Sequence, residues 1–212
     1  MPSTEFRGLK ISHIAHDCFK FNYSKVAFID PFKLKFGEEK ADVIFITHDH
    51  SDHLSIEDIN KIKKDSTIIV APLNAKEKLS FFPEANVVLM KEGESKTVDA
   101  LKVKAVPAYN INKKFHQKGF GLGYIIDFHG VRVYHAGDTD EIPEMKKIEC
   151  DVALLPVSGT YVMTATEAAL AAQKINAKLF IPMHYGSVIG SREDAETFKD
   201  QCSAHAEVRI LL

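Results

Sequence analysis

Cysteine is scarce in this sequence of 212 residues, which contains only three, at Cys18, Cys150 and Cys202. They are odd in number, lie far apart and form no Cys-x-x-Cys pair. This pattern excludes a disulfide framework and favours a reducing compartment. We therefore expect free thiols that pack as small apolar side chains.

An excess of charge of one sign is also absent, since 27 Lys and Arg stand against 29 Asp and Glu, for a net charge of −2. Without a basic excess, the chain lacks the electrostatic means to grip a nucleic-acid backbone. No apolar run reaches the roughly 18 residues that suggest a membrane span. The N-terminal MPSTEFRGLK also lacks the apolar core of a signal peptide. We expect a cytoplasmic protein without a membrane segment or a nucleic-acid partner.

Short apolar segments of strand length recur along the chain, bounded by polar residues, glycine or proline. They cover residues 9–14, 26–29, 43–46, 67–71, 87–90, 101–106, 122–128, 131–134, 152–155, 179–181 and 208–212. Capping patterns predict helices over 55–64, 164–175 and 191–203, and His129-Gly130 predicts a tight hairpin turn. This order predicts sheets covered by helices in a single domain over residues 1–212.

A dense group of polar side chains, Thr-His-Asp-His-Ser-Asp-His at 47–53, follows the apolar strand predicted at 43–46. Imidazole and carboxylate at a buried strand end cost desolvation free energy unless a cation compensates, and both are ligands for zinc and similar ions. In an extended segment, His48 and His50 point to one side. Asp52 and His53 turn with the chain, so two pairs of ligands can face two ions. The alternative is a polar loop of hydrogen-bonded histidines.

The segment at 47–53 resembles the Thr-His-x-His-x-Asp-His signature of the metallo-β-lactamase superfamily. The resemblance implies an α/β fold, a four-layer αββα sandwich with one or two metal ions at one end of its sheets. Asp30-Pro31 after an early strand resembles the branch that includes ascorbate-6-phosphate lactonase-like and N-acyl phosphatidylethanolamine phospholipase-like proteins. The Gly-Asp-Thr at 137–139 and the Pro-Met-His at 182–184 match motifs of that lactonase-like branch.

The resemblance implies Asp138 as a carboxylate that bridges both metals and His184 as a further ligand. The residues give independent support, because His48, Asp138 and His184 each follow the end of a predicted apolar strand. Loops at strand ends can converge while the sheet holds them rigid.

The sequence departs from the family pattern at Asn110, which stands where related sequences place a histidine ligand, in the context Val-Pro-Ala-Tyr-Asn. An amide oxygen is a weaker ligand for zinc than imidazole. His116 lies six residues further on. It could be delivered to the metal by a loop that folds back, contact the substrate, or lie at the surface.

Three other residues are candidates for contact with substrate or for support of the ligands. The resemblance places His16, in Ile-Ala-His-Asp-Cys-Phe, close to the site, and a structural role is the alternative. His135 precedes Asp138 on a strand and is expected to be a packed or supporting histidine. Tyr161 follows the strand predicted at 152–155 and is expected at the same end of the sandwich, where it could bind substrate.

We expect a metal-dependent hydrolase with one or two divalent ions, zinc first, with manganese, iron or nickel as alternatives. The proposed ligands are His48, His50, Asp52, His53, Asp138 and His184, with His116 as a possible addition. Asp52 could also accept a proton from the attacking water, as the resemblance implies. The substrate is expected to be a small molecule with an ester, lactone or phosphodiester bond, and lysines at 113, 114 and 118 leave room for an anionic one.

Three other functions stay open at this point. A non-catalytic metal-binding protein on the same fold would explain Asn110 as a sign of a degraded site. An iron-dependent oxidoreductase and a nuclease are further alternatives on this scaffold. The sequence does not give the oligomeric state.

Overall fold

The computed structural model describes residues 2–211, and in it each half of the chain builds one seven-stranded sheet. The first sheet contains β1 (Ser3–Phe6), β2 (Leu9–Ala15), β3 (Cys18–Asn22), β4 (Val26–Ile29), β5 (Val43–Phe45), β6 (Ile68–Pro72) and β7 (Val87–Met90). The second contains β8 (Ser95–Val98), β9 (Leu101–Ala108), β10 (Gly121–Phe128), β11 (Val131–His135), β12 (Val152–Pro156), β13 (Leu179–Met183) and β14 (Glu207–Val208).

The two sheets repeat one topology. In each sheet the strands lie in chain order. The first four pair antiparallel, and the last four pair parallel. The strands β5, β12 and β13 are buried along their whole length, which explains their unbroken apolar sequences. The carboxyl ends of the parallel strands therefore form one edge in each sheet.

Helices cover the outer faces of both sheets. They are α1 (Ile56–Ile62), α2 (Ala165–Lys174) and α3 (Arg192–Cys202), with short 3₁₀ turns at Leu73–Ala75, Glu84–Asn86 and Pro143–Lys147. Ile59 and Ile62 of α1 pack with Phe28 and Ile44 on the first sheet, while α2 and α3 lie against β12 and β13. The layers run helix, sheet, sheet, helix, and the predicted α/β sandwich is confirmed.

Aromatic rings from both sheets fill the space between them. Phe45 and Tyr124 lie 5.7 Å apart between ring centroids, and Phe21 stacks on Phe128 at 4.9 Å. The Tyr124 hydroxyl donates to the carbonyl of Ile46 at 2.8 Å. This bond satisfies a polar group that burial would otherwise leave unpaired, and it ties the second sheet to the strand end that precedes residues 47–53.

The structure refines several sequence-based boundaries. It adds strands β1, β3 and β8, whose apolar sequences are interrupted by polar residues. The last strand ends at Val208 and is shorter than the predicted 208–212, whose final residue lies outside the described part. The hairpin turn is confirmed, with positive φ at His129 (52°) and Gly130 (98°). The cysteines are free and buried, as predicted. Within residues 2–211, no helix has the length and apolarity to cross a membrane.

Candidate metal centre

The predicted donor side chains converge where the carboxyl-terminal edges of the two sheets meet. His48, His50, Asp52 and His53 follow β5, Asp138 follows β11, and His184 follows β13 directly. His116 comes from the long loop between β9 and β10. Except for Asp52, these residues fall into overlapping groups of possible metal donors, which we describe as an outer and an inner cluster.

The outer cluster consists of His48, His50 and His116. The Nε2 atom of His48 lies 3.0 Å from Nδ1 of His50, and Nε2 of His116 lies 3.3 Å from the same Nδ1. The three facing nitrogens lie within 4.8 Å of one another. Three imidazoles around one point are a donor set for zinc or a similar ion. The loop thus delivers His116 to this cluster, the first of the three placements left open by the sequence.

Asn110 holds the His116 loop in position through its side-chain hydrogen bonds. Its side-chain Oδ1 accepts from the backbone N–H of His116 at 3.0 Å. Its Nδ2 donates to the carbonyl of Tyr161 at 2.8 Å and to Asp140 at 3.1 Å. His116 Nδ1–H donates to the same Tyr161 carbonyl at 3.3 Å. That bond leaves the Nε2 atom of His116 free to face the cluster.

The inner cluster contains His53, Asp138 and His184, with His16 against it and Asp52 beside His16. Nε2 of His184 lies 3.2 Å from Asp138 Oδ2, and Nε2 of His53 lies 3.6 Å from Asp138 Oδ1. Asp138 Oδ2 also lies 3.4 Å from Nε2 of His116 in the outer cluster. One carboxylate therefore touches both clusters.

Hydrogen bonds on the far side of the rings fix which nitrogen faces inward. His53 Nδ1–H donates to Asp30 at 2.8 Å, and Asp30 also accepts from the Thr47 hydroxyl at 2.6 Å. Nδ1 of His184 is bonded to the Ser158 hydroxyl at 2.8 Å. In both rings Nε2 remains for the centre, which is how proteins orient imidazole ligands.

Burial and neighbouring charges shift the pKa values of the histidines in different directions. Burial lowers the pKa of His48, of His116 and of His16, which keeps these rings in the neutral form that binds metal. Burial also acts against the charged form of His53, yet the carboxylates of Asp138 and Asp30 raise its pKa overall.

For the carboxylates, burial acts to raise the pKa and the neighbouring histidines act to lower it. Burial alone would raise the pKa of Asp138, but His184 and His53 hold it well below the ordinary range. Burial likewise opposes ionisation of Asp52, while the contact with His16 and the charge on His53 lower its pKa overall. Without a metal, the inner cluster thus favours an ionised Asp138 beside protonated His53 and His184, and a bound cation would take the place of those protons.

Buried polar atoms without hydrogen-bond partners concentrate here, and they test whether the residues fit a metal. Among the described residues such atoms include His53 Nε2, Asp138 Oδ1 and both ring nitrogens of His16. Unpaired buried polar atoms cost free energy. A divalent cation would bind the ligand atoms that face one another without partners. The residues of the centre therefore fit such an ion.

The other sequence candidates also lie at this edge. His16 is fully buried, lies 3.3 Å from Asp52 through Nε2, and its ring centroid is 3.9 Å from that of His184. His135 has a supporting position, since Nε2–H donates to the backbone carbonyl of Asp17 at 3.0 Å and Nδ1 accepts from Gly137 N–H at 3.2 Å. Burial lowers the pKa of His135, in keeping with a neutral ring.

Left-handed backbone conformations also gather around the centre. The φ angles are +55° at His16, +46° at Asp30, +68° at Tyr161 and +61° at His184. Non-glycine residues rarely adopt such values, and surrounding structure must hold them there. The fold therefore maintains strained residues on four separate segments around one point.

A small cavity of about 120 Å³ opens onto the centre. Besides candidate donors, its walls carry Phe115, Tyr161, Val188 and Ile189. Phe115, Tyr161 and Val188 remain 56%, 38% and 52% exposed, so they form an apolar rim around the opening. Larger depressions elsewhere, such as one beside Lys104 and Arg132, lie away from the donor clusters.

Lysine does not line the cavity: Lys113 pairs with Asp140, and Lys118 pairs with Glu144 at 2.9 Å. Two of the three lysines named from the sequence are therefore paired with acids. Asp17, buried beside the inner cluster, was not predicted from the sequence, although its place next to His16 in an apolar segment was a usable signal.

The αββα sandwich and its two donor clusters define a metal-binding α/β protein. A family model described as the beta-lactamase superfamily domain matches residues 10–184. A UPF0173 metal-dependent hydrolase of Thermococcus onnurineus is 33% identical over 217 residues, covering 96% of each chain. Another, from Thermoplasma acidophilum, is 34% identical and covers 91% of this chain and 90% of its own.

Solved structures agree with this assignment. Igni18, a metallo hydrolase of Ignicoccus hospitalis, has a TM-score of 0.79 and 26% identity, over 96% of this chain and 94% of its own. A protein of Parabacteroides distasonis described as a metal-dependent hydrolase has a TM-score of 0.87 and 36% identity, over 99% and 96% of the two chains. The chain belongs to the beta-lactamase superfamily, among its UPF0173 metal-dependent hydrolases.

Proposed function

We propose that this protein is a dinuclear metal hydrolase that cleaves an ester or lactone bond in a small molecule with an apolar portion. The observation that carries the proposal is the position of Asp138, whose carboxylate contacts His116 on one side and both His53 and His184 on the other. One acidic side chain shared by two imidazole groups is suited to hold two cations close together.

The ligand assignment follows the two clusters. His48, His50 and His116 would hold the outer ion, Asp52, His53 and His184 the inner ion, and Asp138 both. Imidazole nitrogen dominates the outer cluster, which suits zinc, with manganese, iron or nickel as alternatives. The three buried free cysteines support a reducing, cytoplasmic location for the protein.

Bound divalent ions supply hydroxide at neutral pH and polarise the oxygen of the bond to be cleaved. Asp52 faces the cavity with a side chain that is 29% exposed and lies against His16 at 3.3 Å. It is the acid best placed to accept a proton from the attacking water. The rim residue Tyr161 has an exposed ring at the opening and would orient the substrate.

The cavity walls supply no cationic side chain, since the lining contains neither lysine nor arginine. A charged phosphodiester would therefore depend on the metal ions alone for neutralisation. The apolar rim instead offers contacts to the hydrocarbon part of a carbonyl substrate. The volume of about 120 Å³ suits a small scissile group.

Elemental analysis of the purified protein, followed by a screen of esters, lactones, thioesters and phosphodiesters with the identified metal, tests this function. We expect two ions per chain and turnover of uncharged esters or lactones. His50→Ala should remove most of the bound metal and the activity. Metal binding without hydrolysis across the panel would instead favour a non-catalytic metal-binding protein, and cleavage confined to phosphodiesters would overturn the substrate class.

A further inference from the structure

Asp17 is a fully buried acid without a hydrogen-bond partner on its side chain. It lies in the turn between β2 and β3, directly after His16, and is 0% exposed. Neither carboxylate oxygen has a hydrogen-bond partner. Its backbone is fixed, since its carbonyl accepts from His135 Nε2–H at 3.0 Å. The position of this side chain is therefore set by the fold.

A buried carboxylate of this kind calls for a compensating group. Removing a carboxylate from water costs several kcal/mol or more unless it is paired. Neighbouring segments carry apolar side chains at comparable depth, such as Cys18 and Phe19. An acid at this place is therefore either protonated or neutralised by a bound cation.

The residues around Asp17 indicate that a metal cation would be the compensating group. One of its oxygens lies within 4.8 Å of donor atoms of both Asp138 and His184. An Asp17 oxygen also lies within 4.8 Å of ligand atoms of Asp30 and His53. Asp17 does not line the cavity, whereas Asp138 and His184 do. It thus approaches the inner cluster from the protein interior, behind the candidate ligands.

We propose that Asp17 is an additional ligand of the inner metal ion, which makes that position richer in carboxylate than the outer one. This inference rests on the proposed dinuclear function. With Asp17, the inner position has acids at 17, 52 and 138 and imidazoles at 53 and 184. Such an oxygen-rich set suits manganese or ferrous iron with high coordination numbers, while three imidazoles suit zinc. The two positions would then differ in metal preference.

The variant Asp17→Asn distinguishes a metal ligand from a protonated acid that only forms a hydrogen bond. If Asp17 were a protonated acid that only donates a hydrogen bond to Asp138, the amide of Asn could still donate that bond. A neutral amide is a much poorer ligand for a divalent cation than a carboxylate. Asp17→Asn should therefore preserve the fold and weaken the inner ion, whereas the simpler role predicts unchanged metal binding.

A matched control is available at the opposite edge of the second sheet. Asp151 is 6% exposed and precedes β12. Its carboxylate accepts from the backbone N–H of Arg132 at 3.0 Å and from Lys178 at 2.9 Å. Asp151→Asn also neutralises a buried acid, but far from the donor clusters.

In the experiment, a chelator removes metal from the 212-residue protein, which is then titrated with Mn²⁺. Bound ions are counted by elemental analysis and by electron paramagnetic resonance. We expect two bound ions in the unmodified protein and in Asp151→Asn. In Asp17→Asn the affinity of one ion should fall by at least about tenfold. With Co²⁺, the visible absorption should intensify in Asp17→Asn, because a lower coordination number strengthens it.

Thermal unfolding in chelator shows whether Asp17→Asn is folded. Its melting temperature without metal should equal or exceed that of the unmodified protein, since an uncompensated acid has been removed. Two Mn²⁺ ions bound to Asp17→Asn with unchanged affinity, and an unchanged Co²⁺ spectrum, would overturn the role of Asp17 alone. An unmodified protein that binds one ion or none would overturn the dinuclear proposal itself.

Discussion

Asn110 and His116 hold each other through two hydrogen bonds. The Asn110 backbone N–H donates to the His116 carbonyl at 2.7 Å, and Asn110 Oδ1 accepts from the His116 N–H at 3.0 Å. These bonds close a loop that projects the His116 ring towards His50. The amide that replaces an expected histidine therefore supports the imidazole supplied six residues later.

The first prediction concerns this pair. His116→Ala removes one of the three nitrogens of the outer cluster, so the affinity of the outer ion should fall strongly. Asn110→Ala leaves the ring but removes its support, and such outer contacts typically contribute about 10–100-fold in metal affinity. A competition titration with a chromophoric chelator measures both values. Equal and unchanged affinities in the two variants would remove both residues from the metal site.

The second prediction concerns the acid behind His53. Asp30 accepts from His53 Nδ1–H at 2.8 Å and from Thr47 N–H at 2.8 Å. Asp30→Asn substitutes a neutral amide and weakens control of the ring orientation. We expect a loss of about 10–100-fold in affinity for the inner ion, with the outer ion retained. Elemental analysis after dialysis measures the loss, and loss of the outer ion alone would contradict it.

The third prediction concerns removal of metal. Because the donors face one another without partners, bound ions should stabilise the folded state. At a free metal concentration of 100 times Kd the gain is about 2.7 kcal/mol for each ion, or about 5–11 °C in Tm per ion for a chain of this size. Differential scanning calorimetry with and without chelator measures this shift. Asp138→Ala should lose most of it, and an undiminished shift would show that Asp138 does not hold metal.

The fourth prediction concerns a glycine in β10 that permits close packing. A Cβ added at Gly123 would lie 2.9 Å from the Ala136 carbonyl oxygen and 3.0 Å from that of His135. Gly123→Ala should therefore lower the free energy of unfolding by about 1–3 kcal/mol. At Gly121 the nearest atom would be His48 Cβ, at 3.4 Å, an ordinary contact. Urea unfolding in chelator should rank Gly121→Ala as the more stable variant, and the reverse order would refute the packing argument.

The fifth prediction concerns the apolar rim. Hydroxamates carry a metal-binding head, so their affinity for the metal-loaded protein reports on the tail without any knowledge of the bond cleaved. Affinity should rise with alkyl length, up to about fourfold per methylene if each is fully buried, at about 0.8 kcal/mol. A tail ending in a carboxylate should bind more weakly. Isothermal titration calorimetry measures the series.

Two variants provide the contrast for that series. Phe115→Ala should flatten the dependence on chain length. Phe36→Ala alters an aromatic ring that is 91% exposed and outside the cavity lining, so the dependence should remain. Tighter binding of the acidic tail would restore an anionic substrate. Failure of every hydroxamate to bind the metal-loaded protein would count against an open metal position.

The elements that could be predicted from the sequence are those whose signal lies within a short stretch of neighbouring residues. The unbroken apolar run of β5 and the capping residues of α2 mark their structures within a few neighbouring positions. In α2, Thr164 and Glu167 form the reciprocal bonds of a capping box. The polar segment after β5 was similarly clear, because seven consecutive residues carry the pattern.

The features that escaped the sequence depend on long-range contacts. The place of His116 is decided by bonds with Asn110 and Tyr161, 6 and 45 positions away along the chain. The neutralisation of Lys113 by Asp140 joins residues 27 apart. The shared topology of the two sheets also left no visible sequence repeat, since strand direction depends on backbone pairing and tolerates many side chains.

Because each sheet is one contiguous half of the chain, the proposed ligand set is divided by the order of synthesis. During translation His48, His50 and His53 are synthesised well before Asp138, and His184 is synthesised last. Until the second sheet has folded against the first, the nascent chain therefore has only part of the proposed ligand set. Full capture of the ions would then mark the moment at which the two halves have come together correctly.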